Sequence, residues 1–188
     1  MTPETFAAAG LVSLATARTH DSTPSRRIPS LYADAASWTV LRAVDELWAG
    51  APESVRATAD GTAMVLVSTH STLDTMRALA RAVPSGRLSP LRFAGASAGS
   101  PVSLVAQVHG FRGPTLVITT GPEDGAPAAL IMARQWLRTG AAAQVVVATH
   151  EHAPEREHPP ENGHSPERGH SPERGHDVRC DVVTETPR

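Results

Sequence analysis

The stretch from Gly110 to Gly140, GFRGPTLVITTGPEDGAPAALIMARQWLRTG, constrains the fold of this chain more than any other. A Gly-Pro turn opens it, and Leu116-Val117-Ile118-Thr119-Thr120 has the β-rich composition of a strand. The corner Gly121-Pro122-Glu123-Asp124-Gly125 then reverses the chain, its glycines supplying backbone freedom for a tight turn. From Ala126 to Leu137 apolar residues recur at helical spacing, and Gly140 provides the stop. Strand, sharp corner and buried helix form the geometry by which several acyl-transfer folds present a nucleophile. This corner holds no Ser, no Cys and no His.

The rest of the chain supports a layered α/β domain. Of its 188 residues 40% are apolar, enough for one sizeable core. The net charge of -2 gives no electrostatic reason to expect nucleic acid or an anionic membrane as partner. All basic residues are Arg, which reads as compositional bias before it reads as recognition. The single cysteine, Cys180, excludes a disulfide within the chain and fits a reducing, cytoplasmic compartment. The N-terminal apolar run lacks the basic start of a signal peptide.

Phe6 to Leu14 reads as a first strand, and the polar segment from Thr19 to Pro29 as a loop. Ser37 to Ala49 places Trp38, Leu41, Val44, Leu47 and Trp48 on one helical face, with Gly50 as its stop. Ala51 to Gly61 reads as a loop. Thr62 to Thr69 is nearly all apolar, the pattern of a parallel strand buried on both faces. A helix is expected from Thr72 to Val83, started by a Ser71–Asp74 capping box and buried through Leu73, Met76, Leu79, Ala80 and Val83. His70 lies at the strand-to-helix turn, where α/β folds place active-site residues; a loop His satisfied by water or backbone is commoner.

Ser89-Pro90 starts a short helical turn, and Phe93 to Ser100 is small enough for close backbone approach. Ser100-Pro101 then caps a helix through His109, whose ring is placed to bond the terminal carbonyls. Ala143 to Thr149 is a final buried strand. Strands alternating with helices across short turns predict a largely parallel sheet covered on both faces.

From His150 the composition changes. The hexapeptide Gly-His-Ser-Pro-Glu-Arg occurs twice, and His158, His164, His170 and His176 follow at a spacing of six. Such a Pro-rich polar repeat predicts disorder and at most adventitious metal affinity, so no metal site and no cofactor are expected. Asp177 to Arg188 regains β character, fitting an edge strand or a frayed end. Cys180 there reads as a bystander thiol.

Three elements occur in a characteristic order: Ser89-Pro90-Leu91-Arg92-Phe93, then Gly110-Phe111-Arg112-Gly113-Pro114 and the Gly121–Gly125 corner. Ala133 to Gly140 and Val145-Val146-Val147 complete the series. In this the chain resembles the N-terminal half of a β-ketoacyl synthase, above all the divergent chain-length-factor-like proteins of polyketide clusters. The resemblance runs from about Arg26 to Glu151. It divides the chain into an N-terminal segment (1–25), a ketosynthase-like domain (26–151) and a low-complexity tail (152–188).

It implies a thiolase-like half, α/β with a mixed, largely parallel sheet, whose strand Leu116-Val117-Ile118 pairs across a dimer. It also implies a helix buried between sheets after the corner. Carried over, the family's catalytic Cys falls on Pro122, or on Glu123 with a one-residue offset. Its two histidines belong to a second half that no stretch here resembles. The expectation is a catalytically silent subunit of polyketide or fatty-acid-type biosynthesis, pairing with a ketosynthase homologue or itself and docking an acyl carrier protein. The alternatives are a standalone acyl-thioester acyltransferase or decarboxylase using Glu123, Asp124 or His109, and a remnant without activity of its own.

Overall fold

The computed structural model describes residues 1–20, 32–86, 88–152 and 175–186. Helix α1 (Pro3–Ala8) leads into β1 (Leu11–Thr19), then α2 (Ala35–Gly50) and α3 (Glu53–Arg56). Next come a 3-10 turn at Ala59–Gly61, β2 (Thr62–Ser68), α4 (Leu73–Ala82), α5 (Pro90–Gly95) and α6 (Ser100–His109). Strand β3 (Thr115–Ile118), α7 (Pro122–Thr139), β4 (Gln144–His152) and β5 (His176–Glu185) complete the chain.

The five strands form one mixed sheet in the order β1-β5-β4-β2-β3. Strands β3, β2 and β4 are parallel, and β5 runs antiparallel to both β4 and β1. All seven residues of β2 are buried, as a central strand covered on both faces requires. Its period-two alternation divides the core. Met64 and Leu66 pack with Val40, Leu41, Val44 and Leu47 of α2 and Val105 of α6. Val65 and Val67 pack on the other face with Ala129, Leu130 and Ala133 of α7 and Phe6 of α1. Each such aliphatic side chain contributes roughly 1.5–3 kcal/mol through burial. Among the described residues no helix is long and apolar enough to cross a membrane.

Several expectations from sequence are corrected. Phe6 belongs to a helix, not a strand, because Thr2 and Thr5 form a reciprocal capping box with Pro3 in the first turn. Gly10, at φ 72°, then turns the chain into β1. The segment from Ala51 to Gly61 carries a helical turn and a 3-10 turn. Gly50 is the last residue of α2, and Ala51 caps it. The loop expected up to Pro29 mostly lies outside the described residues, as does the hexapeptide repeat.

The Ser71–Asp74 capping box does not form. Ser71 sits at φ 40° and donates its hydroxyl to the Ala98 carbonyl (3.1 Å), while Thr72 donates to the Ala96 carbonyl (2.7 Å). Both hydroxyls tie the turn to the α5–α6 connection, so neither is left to cap α4. The apolar stripe of α4 is also not buried: Met76 and Val83 are exposed, as are Leu88, Leu91 and Phe93 beyond them. Only Thr75 of α4 is fully buried.

Asp34 explains how α4 docks instead. One carboxylate oxygen accepts the Ala36 N–H at 2.9 Å and caps α2; the other accepts the Thr75 N–H and hydroxyl. Asp34→Ala removes the cap and orphans buried donors, a cost of about 2–4 kcal/mol. Urea titration should show the midpoint falling with an unchanged slope.

Gly99, not Ser100, is the N-cap of α6, and Ser100 Oγ donates to the Ala94 carbonyl at 3.2 Å without capping α6. The segment after the repeat is neither an edge nor a frayed end. Strand β5 lies between β1 and β4, where Cys180 is wholly buried and donates its thiol to the Ala43 carbonyl at 3.3 Å. Burial pushes that thiol far above its ordinary range, which removes its nucleophilicity.

Candidate functional site at the carboxyl ends of the parallel strands

Because β2, β3 and β4 are parallel, their carboxyl ends share one edge of the sheet, where α/β folds gather their sites. The register sets Ile118 beside Val67 and His150 beside Ser68. The corner Gly121–Gly125 follows β3 at this edge, with Gly121 as the N-cap of α7 and Pro122 as its first residue. Proline suits that position because its missing N–H has no helical partner there in any case.

Glu123 and Asp124 are exposed in the first turn of α7, the arrangement that complements the helix dipole. Gly125 is buried: a Cβ there would stand 2.4 Å from Val67 Cγ1 and 2.7 Å from Thr120 Oγ1. The corner is thus held by close packing, and no side-chain hydrogen bond caps the helix. Gly113, before β3, is equally confined, with backbone atoms of Thr62 and Ala63 within 2.8 Å of a would-be Cβ.

Leu116, Val117 and Ile118 pair with β2 on one side only, and β3 is the last strand of the sheet. All three are half-buried. Their other backbone edge carries no strand among the described residues.

A cluster that sequence reasoning missed lies at the same edge. Ser68 Oγ accepts the Ser71 N–H at 2.8 Å and contacts His150 Nδ1 at 2.7 Å. The other ring nitrogen, Nε2, lies 2.9 Å from His176 Nδ1, so His150 bridges Ser68 and His176. His152 lies edge-on to His176 with ring centroids 5.1 Å apart, and His70 lies 5.6 Å from His152. His176, counted in the repeat from its spacing, is thus the first residue of β5. Four histidines from three chain segments meet here, a convergence that no local motif announces.

Chemically the cluster is a tie, not a catalyst. Ser68 and His150 are sealed from solvent, and burial, reinforced by His176, His152 and His70, pushes the His150 imidazole down to about 3. A group that weakly basic does little proton transfer near neutrality. Among the described residues no three His, Cys, Asp or Glu side chains converge on a metal-binding arrangement.

His109 is elsewhere. It closes α6 ahead of β3, at the opposite edge from the corner, and its Nε2 meets Asp45 Oδ1 of α2 at 3.0 Å. Trp48 and Phe111 pack around its ring. It does not bond the terminal carbonyls as expected, because Gly110 at φ 74° already turns the chain and its N–H bonds the Ala106 carbonyl. The structure does not bring His109 together with Glu123 and Asp124.

No protein-family model and no curated protein matches the sequence. Solved structures do match in fold. The ishigamide ketosynthase/chain length factor superposes with a TM-score of 0.62 at 19% identity, over 84% of this chain and 44% of that one. The fold is ketosynthase-like. A ketosynthase (ApeO) in complex with its chain length factor (ApeC) from Xenorhabdus doucetiae gives 0.56 at 14% identity, over 89% of this chain and 67% of that one. A β-ketoacyl synthase from Burkholderia phymatum STM815 gives 0.57 at 14% identity, over 89% and 46%. The chain therefore spans less than half the length of two of these three.

Proposed function

We propose that this chain is a catalytically silent, ketosynthase-like subunit of polyketide or fatty-acid-type biosynthesis. It pairs with a ketosynthase homologue through the free edge of β3 and contributes to the surface that receives an acyl carrier protein. The observation that carries this reading is the corner: a close-packed strand-to-helix turn without Ser, Cys or His, where the resemblance puts the nucleophile on Pro122 or Glu123. Condensation needs a nucleophile to hold the acyl group and donors for the enolate oxygen, and neither Pro122 nor Glu123 can form a thioester. Two further observations support it. Two of the structural neighbours are described as ketosynthase and chain length factor together. The exposed apolar side chains of Met76, Val83, Leu91 and Phe93 fit a protein that is covered in an assembly.

Incubating the full chain with acyl- and malonyl-thioesters tests the silence. The expected result is an intact mass unchanged over hours and no release of carbon dioxide above the thioester alone. A covalent adduct mapping to the corner, or decarboxylation lost in a Glu123→Ala, Asp124→Ala variant, overturns the proposal.

A further inference from the structure

From Leu73 to Gly95 the sequence carries four arginines, Arg77, Arg81, Arg87 and Arg92, against one acid, Asp74, in a chain whose net charge is -2. The balance of the whole chain, which gives no reason to expect an anionic membrane, therefore does not describe this segment. Its structure is also inverted relative to an ordinary surface helix. In α4 the residues at i, i+4 and i+7, Met76, Ala80 and Val83, form a stripe that faces solvent, and Arg77 and Arg81 run exposed beside it. Arg77 stands 3.7 Å from Asp74, and Arg81 makes no ion pair among the described residues. Leu88, Leu91 and Phe93 are exposed just beyond the turn at Gly86, Phe93 to 72%, and α5 packs against α4. Polar ties hold this arm to the body: Thr75 to Asp34, Thr72 to the Ala96 carbonyl and Ser71 to the Ala98 carbonyl. Its apolar side chains are thereby left pointing outward.

We infer that the α4–α5 arm seats on an anionic lipid surface. Met76, Val83, Leu88, Leu91 and Phe93 enter the boundary between headgroups and lipid tails, while Arg77 and Arg81 reach the lipid phosphates beside them. A helix that joins an apolar stripe to flanking basic residues lies flat in that boundary, held by buried apolar area and by attraction to anionic headgroups. Two observations favour lipid over protein as the occupant. The apolar side chains protrude one after another along a helical arm, and a protein would have to offer a fitted pocket to each, whereas lipid tails close around any of them. The excess charge is of one sign, which suits a leaflet of phosphates.

The test is co-sedimentation of the full chain with vesicles of phosphatidylcholine alone or mixed equally with phosphatidylglycerol. The chain should bind the mixed vesicles, and several-fold less to phosphatidylcholine. Phe93→Gln with Met76→Gln, both on exposed side chains, should keep the circular dichroism and melting temperature and lose at least about tenfold in affinity for the mixed vesicles. Arg77→Gln with Arg81→Gln should cost about fivefold for each arginine on mixed vesicles and leave binding to phosphatidylcholine unchanged. Ile131→Gln, on an exposed residue of α7 away from the arm, should leave vesicle binding as it was. The β3 edge lies on other elements, so a failure here leaves the pairing proposed above in place. No binding to mixed vesicles, equal binding to both kinds, or a loss as large for Ile131→Gln as for Phe93→Gln with Met76→Gln overturns the inference. So does a Phe93→Gln, Met76→Gln chain that binds vesicles normally but no longer joins a ketosynthase, which would assign the arm to a protein.

Discussion

Lowering the pH from 7 to 4 is expected to remove about 3 kcal/mol of stability through one residue, His150. In the unfolded chain its imidazole titrates near 6.5; in the folded chain burial keeps it neutral down to about 3. Below 6.5 only the unfolded chain takes up this proton. The stabilisation is therefore complete above pH 6.5 and falls as the pH drops toward 3, by up to about 1.4 kcal/mol per unit. Protonation would also turn both ring nitrogens into donors, toward Ser68 Oγ and His176 Nδ1. Urea titrations at pH 7, 5.5 and 4 measure the slope. His150→Gln should be less stable at pH 7 and flatter across this range. Equal slopes in the two proteins would assign the acid sensitivity to other groups, such as Asp177, whose bond to Arg18 holds its carboxyl below the usual range.

The second large effect is steric. Gly125→Val places a branched side chain where a single Cβ already stands 2.4 Å from Val67 Cγ1. Val67 belongs to the fully buried central strand and has nowhere to move. Overpacking of this kind costs about 3 kcal/mol or more, against a total stability of roughly 5–15 kcal/mol for a domain. The variant should accumulate poorly or melt well below the parent. Gly50→Ala is the contrast: nothing lies within 4 Å of the new methyl in α2, so a gain of up to about 1 kcal/mol is expected. Melting temperatures by calorimetry compare the two, and a Gly125→Val protein as stable as the parent would mean that the corner is loosely packed.

What could be read from the sequence was what is local. The strand at Thr62, the helices at Ser37 and at the corner, and the stops at Gly110 and Gly140 all follow from periodicity and turn chemistry, and the structure has each of them. The misreadings occur where a distant partner decides. Ser71 and Thr72 look like a cap until the Ala96 and Ala98 carbonyls take their hydroxyls. Met76 and Val83 look like a core stripe until Asp34 docks the helix through Thr75. His150 stands where composition shifts toward a polar tail, and Cys180 beyond it, yet β4 and β5 bring both inside. Of the site, the strand, the Gly121–Gly125 corner and the helix after it were legible residue by residue. The histidine cluster was not, because His70, His150, His152 and His176 meet only after the sheet has closed.

The central claim is a scaffold kept for pairing and free of corner chemistry. Its most direct test is light scattering on a size-exclusion column, with this chain mixed in equal amounts with a ketosynthase from the same organism. The account predicts one peak whose mass requires both chains, lost when Val117→Asp puts a charge on β3 and retained by Glu123→Ala. Two separate peaks, or a complex that Val117→Asp leaves intact, would contradict it.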